Sequence, residues 1–204
     1  MAVRVKICGV TRVEDARIAA ELGADFIGLN FHPPSPRYLT VERAREMRSA
    51  AGGTALVGVF VNAARDYIRE RLDTLKLDLI QFHGDEDEDA LAGWPVPVIR
   101  ALRLNPESAA PLDFSTRADY VLLDRFHPEL FGGTGKALPL GQLSISQSDW
   151  RRVFISGGLN ADNVAAAAAL MPYAVDVASG IESAPGVKDE MKLRSFIAHA
   201  KSSG

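Results

Sequence analysis

The chain has 204 residues, of which 47% are hydrophobic and 24% are charged, and its formal net charge is −3. This composition is typical of one globular domain, residues 1–204, and the weak negative charge gives no electrostatic reason to bind nucleic acid or an anionic membrane. A single cysteine excludes an internal disulfide, and the lack of an apolar stretch long enough for a signal peptide or a membrane span predicts a cytoplasmic protein.

Short apolar runs recur along the chain at intervals of about 20 to 30 residues, and each predicts a strand that is buried on both faces. The predicted strands are residues 4–8, 26–31, 55–61, 77–83, 96–102, 120–124, 153–156 and 175–179. The segments between them carry apolar residues at helical spacing, for example Tyr67, Ile68, Leu72 and Leu75. Strands that alternate with helices in this way predict a parallel sheet covered by helices.

Eight strand–helix units fit a closed (β/α)8 TIM barrel of the α/β class. The chain is shorter than the roughly 250 residues typical of this fold, so we expect short helices. The alternative is a doubly wound open sheet. It is disfavoured because no GxGxxG pattern follows the first predicted strand.

Local capping patterns predict where several helices begin and end. Thr11 with Glu14 forms a capping-box pattern, and Gly23 stands where a helix C-terminus is expected. The acidic run 85–89 is typical of a solvated helix start. Residues with good capping side chains predict further helix starts at Asn62, at Asn105-Pro106 and at Asn160 or Asp162.

The C-terminal ends of barrel strands form the active site in this fold, and two of the predicted ends carry groups that transfer protons. Asp124 ends the sixth predicted strand and is a candidate general acid. Cys8 ends the first, and Lys6 on the same face is expected to bias its thiol toward thiolate. The alternatives are a small core residue at Cys8 and a structural loop cap at Asp124.

Two glycine turns at the last two predicted strands indicate a phosphate site. Gly157 and Gly158 follow the seventh strand, and Ser179 and Gly180 end the eighth. Glycine lets the backbone approach a ligand closely, and N–H groups at these two loops commonly bind phosphate in such barrels. The sequence therefore predicts a phosphorylated small-molecule substrate.

Two further side chains are candidate substrate contacts. Arg37 lies in a proline-stiffened loop after the second strand, where its planar guanidinium suits a carboxylate, although a surface arginine without a partner is the alternative. His83 ends the fourth strand and is either a substrate contact or an ordinary hydrogen-bonded histidine. Residues 132–136 predict an active-site loop, without the spacing of a P-loop. The histidines and aspartates show no metal-ligand spacing, so we expect no metal.

Taken together and in order, these motifs resemble those of the phosphoribosylanthranilate isomerase family of tryptophan biosynthesis. The matching segments are Lys6-Ile7-Cys8-Gly9-Val10-Thr11, Ser35-Pro36-Arg37-Tyr38, Gly58-Val59-Phe60, Gln81-Phe82-His83-Gly84, Leu123-Asp124, Gly132-Gly133-Thr134-Gly135, Gly157-Gly158-Leu159, Val175-Asp176-Val177-Ala178-Ser179-Gly180-Ile181-Glu182 and Gly186-Val187-Lys188-Asp189. One departure follows Gly135, where Lys136-Ala137-Leu138 replaces the aromatic-acidic-Trp element that the family usually carries.

The resemblance implies a (β/α)8 barrel that rearranges N-(5'-phosphoribosyl)anthranilate to 1-(2-carboxyphenylamino)-1-deoxyribulose 5-phosphate without a cofactor. It implies that Asp124 is the general acid that protonates the furanose ring oxygen. Cys8 is then the general base that removes the proton from the sugar C2, and Arg37 holds the anthranilate carboxylate. The residues implied around the phosphate are Gly157, Gly158, Ser179 and Gly180.

Other functions are compatible with the same residues. One is another phosphate-binding barrel, such as a sugar-phosphate isomerase or epimerase, or an aldolase that uses Lys6 as its Schiff-base lysine. Another is a binder of phosphorylated ligands without catalysis. We expect a single activity, because the first strand offers Cys8 and not the second carboxylate of the related histidine-pathway isomerases. A monomer and a homodimer fit the sequence equally well.

Overall fold

The computed structural model describes residues 3–104, 114–125 and 145–202. Eight parallel strands form a closed barrel in chain order, and the first strand pairs with the eighth to close it. The strands β1 to β8 are Arg4–Cys8, Phe26–Asn30, Ala55–Phe60, Leu79–Phe82, Val98–Leu104, Tyr120–Arg125, Val153–Ile155 and Ala174–Val177. The predicted barrel is confirmed, and the predicted strand ends lie within two residues of the observed ones.

Short helices connect the strands, as the chain length predicts. The helices α1 to α7 are Val13–Glu21, Val41–Ala50, Arg65–Leu75, Glu88–Leu91, Gln147–Trp150, Val164–Ala168 and Glu190–Lys201. In α3 the residues Ile68, Leu72 and Leu75 are buried, which confirms the apolar face expected there. None of the helices in the described part of the chain is long and apolar enough to cross a membrane.

Two apolar cores explain why the strands read as continuous apolar runs. The larger core lies between the outer face of the strands and the helices. The smaller one, which we call the inner plug, fills the barrel interior and consists of Phe26, Val57, Leu79, Ile99, Ala101, Leu122, Phe154 and Ala174. The strands β2 to β8 therefore each bury apolar side chains on both faces.

The alternation of side chains along a strand places polar residues directly above the inner plug. Asp124 lies two positions after Leu122 of the plug and points to the same face of β6. The same spacing places Gln81 and Asp176 above the plug on β4 and β8. The C-terminal end of the barrel is thus polar and its interior below is apolar.

Two predicted helix caps form hydrogen bonds with residues distant in the sequence and do not cap their helices. The Thr11 hydroxyl donates to the carbonyl of Gly186 at 2.6 Å, and α1 has no side-chain cap, so the predicted capping box is wrong. Asn62 is wrong as a helix cap too, because its Oδ1 accepts from the backbone N–H of Asp85, which lies in a distant loop. Gly23 has a φ of +86° directly after the end of α1 and is confirmed as the stop.

Two other predicted starts have different outcomes. Asn160 begins the turn before α6, since its Oδ1 accepts from the N–H groups of Asp162 and Asn163, but the helix itself begins at Val164. The acidic run contains the start of α4, where Asp87 caps the helix by accepting from Ala90. The predicted start at residues 105–106 lies outside the described residues.

A hairpin after β8 is absent from the sequence-based prediction. Residues Ser179–Ile181 form one 3₁₀ turn, and the antiparallel strands β9 (Glu182–Ala184) and β10 (Val187–Lys188) follow. The backbone N–H of Asp189 donates to the carbonyl of Ile181 at 2.8 Å and leads the chain into α7. The hairpin therefore sits at the C-terminal end of the barrel, next to the end of β8.

Candidate active site

Asp124 and His83 meet at the C-terminal end of the barrel. The Nε2 of His83 lies 3.2 Å from the Oδ2 of Asp124, and both side chains are buried. The Nδ1 of His83 lies 2.8 Å from the amide nitrogen of Gln81. An amide nitrogen only donates, so in this orientation Nδ1 accepts and the neutral imidazole carries its proton on Nε2. The ring then donates to Asp124 and fixes the direction of the carboxyl group.

Gln81 supports this pair from below but leaves one atom unsatisfied. Its side chain is 1% exposed, and its Oε1 is buried without a hydrogen-bond partner among the described residues. Such an atom costs about 1–3 kcal/mol. The amide nitrogen of Gln81 thus contacts His83, and its oxygen lies buried beside the pair of His83 and Asp124.

Cys8 lies at the end of β1, above a buried charge network. The Nζ of Lys6 donates to Oδ1 of Asp176 at 2.7 Å, and the Ser156 hydroxyl donates to Oδ2 of the same carboxylate at 2.9 Å. Burial disfavours the charged ammonium, but Asp176 and Cys8 outweigh it and raise the pKa of Lys6 above its usual value. Lys6 is thus a cation whose charge Asp176 largely compensates.

Burial, together with this network, makes the thiol of Cys8 a weaker acid than an ordinary cysteine. Burial raises the pKa of Cys8 above its usual value; Lys6 lowers it, and Asp176 raises it again. The expectation that Lys6 biases the thiol toward thiolate is correct in direction, but burial and Asp176 outweigh it. Cys8 is therefore a protonated thiol at neutral pH and must lose its proton to act as a base.

Gly28 on β2 makes the space beside the thiol. It pairs in register with Cys8, and a Cβ at this position would lie 2.9 Å from the Cys8 Sγ and 3.3 Å from the Lys6 Nζ. Sequence reasoning missed this residue. Its signal is a glycine in the middle of an apolar strand, which often marks a close approach of another group.

Arg37 packs across the end of β1 and is held by a carboxylate. Its Nε and Nη2 donate to the two oxygens of Glu182 at 2.9 and 2.6 Å. Gly9 lies beneath it, where a Cβ would stand 2.4 Å from the Arg37 Cδ. Lys188 donates to Glu182 at 2.8 Å from the other side. Sequence reasoning missed Glu182 and Lys188 as site residues, although both stand in the segments that resemble the family.

The loops that carry the two glycine turns contact each other. Gly157 and Gly158 have φ values of +80° and +72°, in the left-handed region that favours glycine. A Cβ on Gly180 would lie 1.9 Å from the carbonyl oxygen of Leu159, so the loops after β7 and β8 touch only because this residue is glycine. Ser179 begins the 3₁₀ turn beside them.

Two arginines on β5 have structural partners, and one predicted loop is not described. Arg100 and Arg103 on β5 pair with Glu88 and Asp85 of the acidic run. The loop 132–136 lies outside the described residues. Across 3–104, 114–125 and 145–202, no cluster of three or more histidine, cysteine, aspartate or glutamate side chains could hold a metal ion.

Comparison with known proteins identifies the family. The model of the family described as N-(5'phosphoribosyl)anthranilate (PRA) isomerase matches residues 5–199. The chain belongs to the PRA isomerase family. A PRA isomerase from Pseudomonas fluorescens (strain Pf0-1) is 46% identical over 200 residues, which cover 96% of this chain and 97% of that protein.

Solved structures of PRA isomerases share the whole architecture. The crystal structure of the enzyme from Thermus thermophilus superimposes with a TM-score of 0.85 at 37% identity, covering 98% of this chain and 99% of that one. A PRA isomerase solved in complex with reduced 1-(o-carboxyphenylamino)-1-deoxyribulose 5-phosphate gives a TM-score of 0.78 at 34% identity, with 98% and 99% coverage. The resemblance read from the sequence motifs is confirmed.

Proposed function

We propose that this chain catalyses the isomerisation of N-(5'-phosphoribosyl)anthranilate in tryptophan biosynthesis, with Asp124 as general acid and Cys8 as general base. The observation that carries the proposal is the position of a carboxyl and a thiol on two barrel strands, β6 and β1, that are not neighbours. Groups on different sides of the C-terminal end of the barrel can exchange protons with different atoms of one sugar. Membership of the PRA isomerase family supports the same reaction.

The reaction needs one acid and one base acting in turn. Asp124 donates a proton to the furanose ring oxygen while the C1–O bond breaks, and the nitrogen lone pair forms the protonated Schiff base. The thiolate of Cys8 then removes the proton from C2, which gives the enolamine, and tautomerisation places hydrogen on C1 and leaves the ketone at C2. The substrate is rearranged without net oxidation, so the step requires no electron acceptor.

The remaining predicted residues bind the two ends of the substrate. Arg37 takes the anthranilate carboxylate through its Nη1, the guanidinium nitrogen that does not contact Glu182. His83 contacts the substrate beside Asp124. The phosphate lies at the touching loops that contain Gly157, Gly158, Ser179 and Gly180.

The aldolase alternative is weakened by the state of Lys6. A Schiff-base lysine must be a neutral amine when it attacks, which a lowered pKa favours. Burial opposes the charge on Lys6, but the pairing with Asp176 raises its pKa and keeps it protonated.

The wider setting follows from the same proposal. We propose that residues 1–204 form one domain that acts in the cytoplasm on a phosphorylated small molecule. No cofactor takes part in the proposed reaction. Both a monomer and a homodimer are compatible with it, because every residue with an assigned role lies on this chain.

The test is turnover of freshly generated substrate. Purified protein is mixed with N-(5'-phosphoribosyl)anthranilate, the loss of substrate fluorescence is followed, and the product is identified by mass and chromatography. The proposal expects conversion to 1-(2-carboxyphenylamino)-1-deoxyribulose 5-phosphate. Folded protein that gives no conversion contradicts it, and reduction with borohydride that links a sugar phosphate to Lys6 would favour the aldolase.

A further inference from the structure

We propose that Glu182 and Lys188 of the β9–β10 hairpin are positioning residues for the substrate carboxylate: they orient Arg37 and keep its surroundings cationic. The inference rests on the proposed function, in which Arg37 binds that carboxylate. It adds two residues, on an element that follows the last barrel strand, to those that decide which substrate is accepted.

The geometry of Arg37 and Glu182 sets the direction of the guanidinium. The contact is bidentate through Nε and Nη2, and the two side chains are only 16% and 5% exposed. A bidentate pair fixes the plane of the guanidinium as well as its distance. Among the described residues Nη1 has no hydrogen-bond partner, so the edge formed by Nη1 and Nη2 is presented to a ligand in one orientation.

Lys188 decides the charge of the site. Its side chain is 1% exposed, and its Nζ donates to Glu182 Oε1, to the Cys8 carbonyl and to the Ala178 carbonyl, at 2.8, 2.6 and 3.3 Å. Three acceptors use all three donors of an ammonium group, whereas a neutral amine could satisfy only two of them. Burial lowers the pKa of Lys188 below its usual value while Glu182 opposes this shift, and the three acceptors favour the protonated form.

The charges of the three side chains leave one positive charge for the ligand. Arg37 and Lys188 are cations and Glu182 is an anion, so the trio has a net charge of +1. Without Lys188 the pair of Arg37 and Glu182 would be neutral, and a substrate carboxylate would meet Glu182 nearby without compensation. The buried ion pair thus orients Arg37, and Lys188 keeps that orientation compatible with binding an anion.

Lys188 also joins the parts of the site mechanically. It bonds the carbonyl of Cys8, the proposed base, and the carbonyl of Ala178, which directly precedes Ser179 and Gly180. Its own backbone N–H donates to Asp15 of α1 at 3.1 Å. The hairpin is therefore anchored to the first and last strands of the barrel and not free to move away from Arg37.

The test compares two ligands on a set of variants. The first ligand is reduced 1-(2-carboxyphenylamino)-1-deoxyribulose 5-phosphate, and the second is the same molecule without the aryl carboxylate. The dissociation constants are measured by calorimetry for wild type, Arg37→Met, Glu182→Gln, Lys188→Met and the double variant Glu182→Gln/Lys188→Met. The matched control is Asp78→Asn, which breaks a partly exposed ion pair with Arg48 far from the site.

We expect Glu182→Gln and Lys188→Met each to weaken binding of the carboxylated ligand about tenfold or more, and binding of the second ligand less than threefold. In steady-state kinetics the same variants should raise KM with kcat within about threefold. The double variant restores the net charge of +1 without the ion pair. It should recover part of the affinity lost in Lys188→Met, and the size of this recovery distinguishes the effect of net charge from the effect of guanidinium orientation. The double variant also provides a measurement if one of the single variants folds poorly.

Two results would overturn the inference. If the variants weaken the binding of both ligands equally, the hairpin has a general structural role only. If they weaken the binding of neither ligand, the hairpin does not act on Arg37. In either case the proposed function stands if Arg37→Met no longer binds the carboxylated ligand more tightly than the second ligand. An unchanged preference in Arg37→Met removes the carboxylate assignment, and the inference falls with it.

Discussion

The buried pair of Lys6 and Asp176 allows a sharp stability prediction. The change is Lys6→Met, which keeps the length of the side chain and removes its charge. The side chains of Lys6 and Asp176 are 0% and 6% exposed, so the substitution leaves a carboxylate inside the barrel that, among the described residues, keeps only the Ser156 hydroxyl as a hydrogen-bond partner. Leaving a buried charge without its partner costs about 3–5 kcal/mol.

The expected loss is large enough to measure directly. At about 2–4 °C per kcal/mol for a protein of this size, the Lys6→Met variant should unfold roughly 6–20 °C below wild type. Adding Asp176→Asn removes the isolated charge and should recover most of the loss. The assay is thermal and urea unfolding followed by circular dichroism. The control is Arg43→Met, which breaks a pair whose partners are 54% and 48% exposed and should cost less than about 1 kcal/mol.

Two outcomes would refute this reasoning. A cost below about 1 kcal/mol for Lys6→Met would mean that water or local rearrangement already compensates Asp176. A double variant as unstable as the single one would mean that the loss comes from packing and not from charge.

Three further predictions concern catalysis and binding. Gly28→Ala should lower kcat about tenfold or more with the fold intact, because its Cβ would press on the thiol, whereas the control Gly53→Ala faces open space and should retain wild-type rates. Gly180→Ala should raise KM about tenfold and weaken inorganic phosphate as a competitive inhibitor, since the added carbon forces the two glycine loops apart. Because burial raises the pKa of Cys8, the thiolate absorbance of wild type minus that of Cys8→Ser should rise mainly above about pH 8.5; full thiolate absorbance at pH 7 contradicts the raised pKa.

The barrel and the ends of its strands could be predicted because both depend on patterns within short stretches. A strand buried on both faces is mostly apolar, so a short apolar run predicts it and a thiol or carboxyl group at the end of the run is conspicuous. Cys8 and Asp124 stand at such ends, and the structure places both at the C-terminal end of the barrel, above the inner plug. The order of the motifs then sufficed to recognise the family.

The features that sequence reasoning missed depend on partners far along the chain. Thr11 bonds Gly186 and therefore does not cap α1, although the two positions lie 175 residues apart. The charge of Lys6 is compensated by Asp176, at a separation of 170 residues, which adds to the effect of burial in raising the pKa of Cys8. No local pattern contains this information. It becomes visible only when the first and last strands are seen to be neighbours.

The central claim is that Asp124 and Cys8 act as acid and base, and one measurement tests it most directly. Turnover of freshly generated N-(5'-phosphoribosyl)anthranilate is followed by fluorescence loss for wild type, Cys8→Ser and Asp124→Asn, each checked for folding by circular dichroism. Loss of an acid or a base typically costs 10²–10⁴-fold, so we predict an active wild type and a fall of at least about 100-fold in kcat for each folded variant. A folded variant of either kind that retains wild-type kcat would contradict the account.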